Sequence, residues 1–497
     1  MKQFLAPRFL ITVITLLSFR FLSAQPVPAQ KAEDDLPKDY LSSSFHAGRR
    51  TALRTIMPDN SAMVIFAYPT RTFSNDVEYL YHPNPDMYYF SGYKEPHAVL
   101  FIFKEEQTDS AGNKYNELIF VQKRNPQAEQ WTGKRLGTEG TKERLGIKMA
   151  FNGDEFKKLD IDFSKFAKII YDRFPVDVPN SPRDNADLFD LIQQFKEKSK
   201  MPEQLSQQNR FDSRLYRELT GQLREIKNAE EMHLLRKAVE ISCQGQNEVM
   251  KAVHPNMSEL ELQGLHEYVH KKQGAEGVGY GSIIGSGENG CILHYMENTK
   301  TKVGTSMILM DVGAEYHGYT ADITRTVPVD GKFSAEERDI YQIVYDAQEA
   351  AFKTLKDGSK WADASAAAFE TIATGLIKLG IIKNKSETGK YFPHGLGHHI
   401  GLDVHDRGTY DKLKKDMVIT IEPGIYIPEG SNCDKKWWSI AVRIEDDLLI
   451  TENGYELLSH FAPRKIEDIE KMIAQKSAVD DFKLPALKSK SPVKKGF

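Results

Sequence analysis

The sequence predicts an α/β domain followed by a domain of helices and antiparallel strands, and three observations carry that prediction. Short apolar runs of β character alternate with helix-like stretches through the first half, which is the pattern of an α/β layer structure. In the second half, pairs of residues with capping-box spacing mark helix starts. Later runs alternate with period two and carry acidic residues among the apolar ones, joined by turns short enough for hairpins. At 497 residues the chain is longer than one ordinary core, so two or three domains suit its length.

The elements follow in order. Residues 1–24 place Lys2 and Arg8 ahead of an apolar run from Phe9 to Leu17 and end on small residues at Ala24, the order of a cleaved secretory signal peptide. The run falls short of the roughly 20 apolar residues that span a bilayer, and Arg20 interrupts it. An exported protein, periplasmic or secreted, with no stable membrane insertion is therefore expected. Residues 25–45 are polar and Pro-containing and read as a flexible lead-in. In the first domain, 46–221, the runs Met63–Tyr68, Ala98–Phe103, Leu118–Val121 and Ile169–Tyr171 alternate with helix-like stretches such as Asn185–Lys198. The polar segment Met201–Asp212 has linker character and places the boundary between itself and Ile226.

The second domain, 222–465, is better punctuated. Asn228 with Glu231, Ser258 with Glu261 and Ser334 with Glu337 have the spacing in which N-cap and N3 side chains satisfy each other's free backbone N–H groups, so three helices start there. Ile340, Val344, Ala347, Ala351 and Leu355 recur at three- and four-residue steps, marking one buried face of a helix that Gly358 ends. Strands are expected over Ser306–Val312, Tyr319–Val329, Met417–Ile427 and Ile440–Ile450. Residues 466–497 form a C-terminal extension with a Lys-rich, Pro-broken tail expected to be solvated.

Composition excludes some functions. Lys plus Arg total 66 against 70 for Asp plus Glu, a net charge of -4, which gives no basic footprint for nucleic acid. Cys243, Cys291 and Cys433 are too few and too scattered for a disulfide framework or a Cys-rich zinc site, and they read as small buried hydrophobes; Cys291 is close enough to His294 to sense oxidants.

The acids inside the strands carry the chemistry. Asp311 ends one apolar run, and Asp322, eleven residues later, lies in the next across the turn AEYHGY, so a hairpin brings the two carboxylates together. Neighbouring desolvated carboxylates repel and need a cation or a shared proton. Glu422 lies among Ile419, Ile421 and Ile425, and Glu445 follows Ile444. Period two puts Arg443 on the face of Glu445, and Tyr426 on that of Glu422 if the pleat survives Pro423 and Gly424. The segment HGLGHHIGLDVHD adds His394, His398, His399 and His405; His399 reads as structural. Carboxylates with one or two imidazoles make an oxygen-rich set suited to pairs of Mn, Fe, Co or Zn, whose shared water is acidified and whose charge clamps an oxyanion. Hydrolysis is the chemistry such a site supports. Trp437 and Trp438 are expected at a rim or a subunit contact.

The ordered set Asp311, Asp322, His398, Glu422, Glu445, with HGLGH and VRIEDD around its last members, resembles the pita-bread metallopeptidases, which include methionine aminopeptidase, prolidase and aminopeptidase P. The likeness runs from about Gln222 to His460. RRTALRTIMPDNSAMVIFA, YYFSGYKEPHAVLFIF and EQWTGKRLG look like the N-terminal domain of aminopeptidase P and extend it back to about His46. The resemblance implies an α/β N-terminal domain and an α+β pita-bread catalytic domain, a curved and mostly antiparallel sheet covered by helices. It implies two divalent metal ions, Mn expected with Co, Zn or Fe as alternatives, held by Asp311, Asp322, His398, Glu422 and Glu445.

By the same resemblance Glu422 also transfers the proton, His294 and His405 line the substrate cleft, His394 supports that pocket, and Arg443 and Tyr426 orient carboxylates from behind. The expected substrate is a peptide with proline second, losing its first residue; prolidase action on Xaa-Pro dipeptides is the alternative. A homodimer or homotetramer is the expected assembly. A peptide-binding protein of this fold that lacks catalysis is disfavoured because every ligand is retained, and a creatinase-like hydrolase because that enzyme works without the full metal set.

Overall fold

The computed structural model describes residues 37–159, 161–181, 184–204, 210–480 and 484. The predicted signal peptide, most of the lead-in and nearly all of the Lys-rich tail lie outside them. Leu41–Phe497 packs as one compact unit.

The first half is built on a mixed six-stranded sheet. Its strands are β1 (Ser61–Phe66), β2 (Val99–Thr108), β3 (Lys114–Val121), β4 (Ala150–Asn152), β5 (Lys168–Tyr171) and β6 (Phe211–Asp212), in spatial order 4-3-2-1-5-6. The β1–β2 and β2–β3 pairs are antiparallel, and β3–β4, β1–β5 and β5–β6 are parallel. The apolar runs were continuous because the sheet is buried on both faces. Val64, Phe101, Phe103 and Phe120 face an aromatic cluster with Phe156, Phe163 and Phe195. Alternate residues Met63, Ile65, Leu100 and Ile102 pack instead against helix α1 (Ser43–Ile56) and, with Tyr216, against Leu234, Leu235 and Ile323 of the second half. That shared core joins the two halves.

Several boundaries differ from expectation. Ser42 caps α1, so the last three residues of the predicted lead-in are already helical. The predicted linker ends in β6 because Phe211 buries its ring against Tyr171. The expected boundary at 221/222 lies inside a helix, Ser213–Arg224. The helix begun at Ser334 (Ala335–Phe352) stops before Gly358, which occupies a left-handed turn with φ 79°. Residues 466–473 are no extension: they form a helix with Ile466 and Ile469 in the core and Glu470 paired with Lys332 and Arg338. Trp437 is a core residue rather than a rim residue.

In the second half, helices Ala229–Ala252 and Glu259–Lys272 precede the strands. The reciprocal capping boxes form at Asn228–Glu231 and Ser334–Glu337, whereas Ser258 caps the Glu261 N–H one way. Gly245 lets the two helices close on each other, since a Cβ there would lie 3.1 Å from His270 Nε2 and 3.2 Å from His266 Nδ1. Both imidazoles are buried with no hydrogen-bond partner among the described residues. Burial holds His270 down to about 4 and His266 well below its usual range. The unfolded chain therefore takes up protons below about pH 6.5 that the fold refuses, and stability declines as pH falls from there toward 4. A His266→Leu/His270→Leu double variant is expected to show a shallower loss of urea midpoint between pH 7 and 4.5. Parallel slopes for parent and variant would refute this.

The strands of the second half pair antiparallel throughout: β7 (Ile283–Ser286), β8 (Met307–Val312) and β9 (Ile323–Pro328) in one sheet, and β10 (Val418–Ile421), β11 (Gly424–Ile427), β12 (Ile440–Arg443) and β13 (Asp446–Ile450) as the pairs β10–β13 and β11–β12. Three of the four predicted long strands are broken. The breaks fall at Asp322, at Glu422–Pro423 and at Ile444–Glu445. Threonine side chains bridge strands beside the breaks: Thr326 Oγ1 accepts from Arg443 N–H and donates to Arg443 O, and Thr420 Oγ1 accepts from His398 N–H.

Candidate active site

The breaks aim the acids. Asp311 sits opposite Thr324 in the β8–β9 ladder, one step from the end of the pairing, so the predicted hairpin does bring Asp322 beside it. The backbone leaves the ladder there, and a Cβ at Gly313 would lie 1.8 Å from Ala321 O, so only glycine admits the close crossing. Asp447 Oδ2 accepts the freed Asp322 N–H at 3.1 Å. Gly397 serves the histidine segment in the same way: a Cβ would lie 2.0 Å from Thr420 O.

Asp322, His398 and Glu445 offer ligand atoms that all lie within 4.8 Å of one another. His398 Nε2 is 3.4 Å from Asp322 Oδ2, 3.6 Å from Glu422 Oε1 and 3.9 Å from Glu445 Oε1. The Nδ1 of His398 lies 3.0 Å from the His399 carbonyl, which can only accept, so the proton belongs on Nδ1 and the Nε2 lone pair points at the carboxylates. Asp311 joins through Tyr280, whose hydroxyl is 2.6 Å from Asp311 and 2.5 Å from Asp322. One phenolic proton cannot serve both bonds at once, so the two acids compete for it.

The electrostatics explain what such a cluster requires. Four carboxylates face a single guanidinium, that of Arg443, which is spent on Asp311 at 2.5 Å, Tyr426 at 2.9 Å and Thr324 at 3.1 Å. Burial, and then the neighbouring acids, push Asp322 and Glu445 well above the carboxylate range. Burial likewise pushes Glu422 up to about 7. A buried anionic set with an unprotonated imidazole nitrogen among hard oxygens fits divalent cations, which would relieve the mutual repulsion.

The remaining predicted residues fall around this cluster. His294, His394, His405 and Arg443 line one cavity of about 440 Å³ together with the five acidic and imidazole ligand candidates. Tyr426 does not reach the cavity. It accepts from Arg443, so its own proton goes to His394 Nε2 at 2.8 Å, which leaves the His394 proton on Nδ1, near Gly395 O at 2.8 Å. Burial and Arg443 hold His394 down to about 4, so it is neutral at neutral pH. The His405 ring stands edge-on to His398 at 4.3 Å. His399 packs beneath, bonded to Thr409 O. Sequence reasoning missed Tyr280, Thr324 and Asp447. Tyr280 lies in the short loop between the strand Gly277–Val278 and β7 and has no spacing signal, whereas Asp447, two residues after Glu445 in IEDD, was visible but not separable from its neighbours.

Comparison with known proteins places this architecture. Residues 233–452 match the profile of metallopeptidase family M24, and residues 46–168 match the aminopeptidase P N-terminal domain. The Xaa-Pro aminopeptidase of Escherichia coli is 34% identical over 445 residues, covering 86% of this chain and 96% of that protein. Its counterpart in Haemophilus influenzae is 34% identical over 439 residues, with the same coverage. The solved structure of aminopeptidase P from E. coli with the inhibitor Pro-Leu superposes with a TM-score of 0.75 at 32% identity, covering 87% of this chain and 98% of that one. The chain belongs to metallopeptidase family M24 and carries the aminopeptidase P type of N-terminal domain ahead of its catalytic domain.

Proposed function

We propose that the protein is a metal-dependent Xaa-Pro aminopeptidase, releasing the first residue of peptides whose second residue is proline. The observation that carries this is the mostly buried Asp311–Asp322–His398–Glu422–Glu445 cluster lining a cavity with three further histidines, in a chain that matches the Xaa-Pro aminopeptidases of Escherichia coli and Haemophilus influenzae over 96% of their length. Asp311, Asp322, His398, Glu422 and Glu445 would hold divalent ions, with Mn the expected metal, and such ions would supply positive charge to polarise the scissile carbonyl and acidify a water. Glu422, with 18% of its side chain accessible and 3.7 Å from His394, is placed to take a proton from the attacking water and to give one to the leaving proline nitrogen. His394 and His405 are held neutral, mainly by burial, and can donate or accept hydrogen bonds along the bound peptide. Arg443 holds Asp311 in place, and Tyr426 fixes the tautomer of His394.

A dipeptidase must bind the free carboxylate after proline. Among the described residues lining the cavity the one Lys or Arg is Arg443, and its donors are taken by Asp311, Tyr426 and Thr324. That favours longer peptides over dipeptides. With Mn-, Co- or Zn-loaded protein, Ala-Pro-Ala is expected to be cleaved at least about tenfold faster (kcat/KM) than Ala-Pro, because a site lacking a partner for a buried carboxylate penalises it. Cleavage of the dipeptide alone would support prolidase instead. Export to the periplasm or medium is part of the proposal, supported by the charged-then-apolar N-terminus, as is a dimeric or tetrameric assembly.

A further inference from the structure

His405 occupies a loop with an unusual anchorage. The loop runs from His399 to Asp406 and is closed by Asp406 N–H to His399 O at 2.8 Å and Gly401 N–H to Asp403 O at 3.1 Å. A Cβ at Gly401 would lie 2.2 Å from Asp406 Oδ2, so the carboxylate is pressed onto the loop's own backbone. His398 precedes the loop and His405 lies near its end, which is how one short segment delivers both imidazoles to the cavity.

The back of this loop is held by charges from elsewhere. Arg224 binds Asp406 Oδ1 at 2.5 Å and Asp403 Oδ2 at 3.0 Å, and Lys227 binds Asp406 Oδ2 at 3.3 Å. The same Arg224 binds Asp86 Oδ1 at 2.8 Å, in the helix Pro85–Ser91 of the N-terminal half. Arg407, two residues after His405, binds Asp86 Oδ2 at 3.1 Å and Asp172 Oδ2 at 2.6 Å, and lies over the Tyr216 ring at 5.2 Å. Asp86 is therefore shared between two guanidiniums, that of Arg224, which binds the loop's aspartates, and that of Arg407, which follows the loop directly, and Tyr216 donates to it at 2.9 Å. Asp86, Arg224 and Asp406 are almost fully buried, so their mutual distances cannot relax into solvent. Arg407 is a quarter exposed, and it also donates to Thr220 Oγ1 at 2.8 Å.

We propose that Arg407 is a positioning residue for His405, clamping the 399–406 loop to Asp86 and Asp172 so that the N-terminal half sets where the cleft imidazole stands. The inference rests on the Xaa-Pro aminopeptidase reading for its activity assay and on geometry for the rest. The N-terminal half is then part of the catalytic apparatus rather than an appended module, and coupling runs through one bifurcated aspartate.

A double-mutant cycle on the full-length, metal-loaded protein tests it, with kcat and KM measured on Ala-Pro-Ala for the parent, Arg407→Ala, His405→Ala and the double variant. Arg407→Ala is expected to lower kcat/KM by about 10- to 100-fold, the scale of a misplaced catalytic contact, with metal stoichiometry unchanged. In the His405→Ala background it is expected to cost less than about twofold, because residues acting through one another do not add. Arg407→Lys should recover part of the loss. Equal losses in both backgrounds, or no loss in either, would overturn the proposal. Should Arg407→Ala fail to fold, Asp172→Asn is expected to show the same non-additivity with His405→Ala. An inactive parent would overturn the peptidase reading instead. In that case the His405 imidazole resonance, assigned by its absence in His405→Ala, still decides: it shifts in Arg407→Ala if the clamp acts on it, and an unmoved resonance refutes the clamp.

Discussion

Glu422→Gln is expected to lower kcat on Xaa-Pro peptides by about 10²- to 10⁴-fold, the range attributed to a positioned proton-transfer group, when measured at a metal concentration high enough to restore parental occupancy, since the substitution also takes one carboxylate from the ligand set. The reasoning starts from the break at Pro423. The proline removes a backbone N–H from the β10–β11 run, the strand ends at Ile421, and the Glu422 side chain turns into the cavity, 3.6 Å from His398 and 3.7 Å from His394. It is the most exposed of the four acids, with 18% of its side chain accessible, so a substrate atom can reach it. Burial pushes its carboxyl up to about 7 in the metal-free protein, and its reach into the cavity beside the His394 and His398 imidazoles places it to accept and return a proton. Glutamine keeps the shape and one oxygen donor but cannot hold a transferable proton. A variant that kept parental kcat with full metal occupancy would remove Glu422 from proton transfer and leave it as a ligand candidate only.

Much of this was legible in the residues. Acids amid Ile and Val, at Asp311, Glu422 and Glu445, were anomalous against the hydrophobic pattern, and the hairpin around AEYHGY followed from turn chemistry. The strand breaks were not legible. Asp322 and Glu422 are flanked by apolar residues and Glu445 follows one, and nothing local says that the ladder stops. The stop is imposed by distant partners, Asp447 at the Asp322 N–H and Thr324 O at the Glu445 N–H. The same applies to Arg224, Asp86 and Asp406, which are charged residues far apart in sequence whose burial exists only in the assembled fold. Periodicity reports which face of an element is buried, not which charges meet there. Helix ends erred for a related reason: Ile466 and Ile469 read as part of a C-terminal extension until the core they fill is known.

Metal removal is expected to abolish hydrolysis and to destabilise the protein by an amount that grows with pH. Without cations, burial and mutual repulsion hold Asp322 and Glu445 protonated well above the ordinary carboxylate range, and Glu422 to about 7. The unfolded chain loses these protons near pH 4. Between those limits the native metal-free protein binds more protons than the unfolded one, so its stability falls as pH rises through about 7. Loaded protein does not share this loss, because cations stabilise the ionised carboxylates, and the acid-sensitive buried histidines are common to both forms and cancel in the comparison. With free metal about 100-fold above its Kd the stabilisation is about 2.7 kcal/mol, or roughly 5–10 °C in Tm for a catalytic domain of this size. Scanning calorimetry of chelator-stripped and Mn-reloaded protein at pH 5.5 and pH 8 should show the larger Tm difference at pH 8. A difference that is constant, or larger at pH 5.5, would mean that the carboxylates are not neutral in the metal-free fold and that their proximity is relieved by something other than the cation.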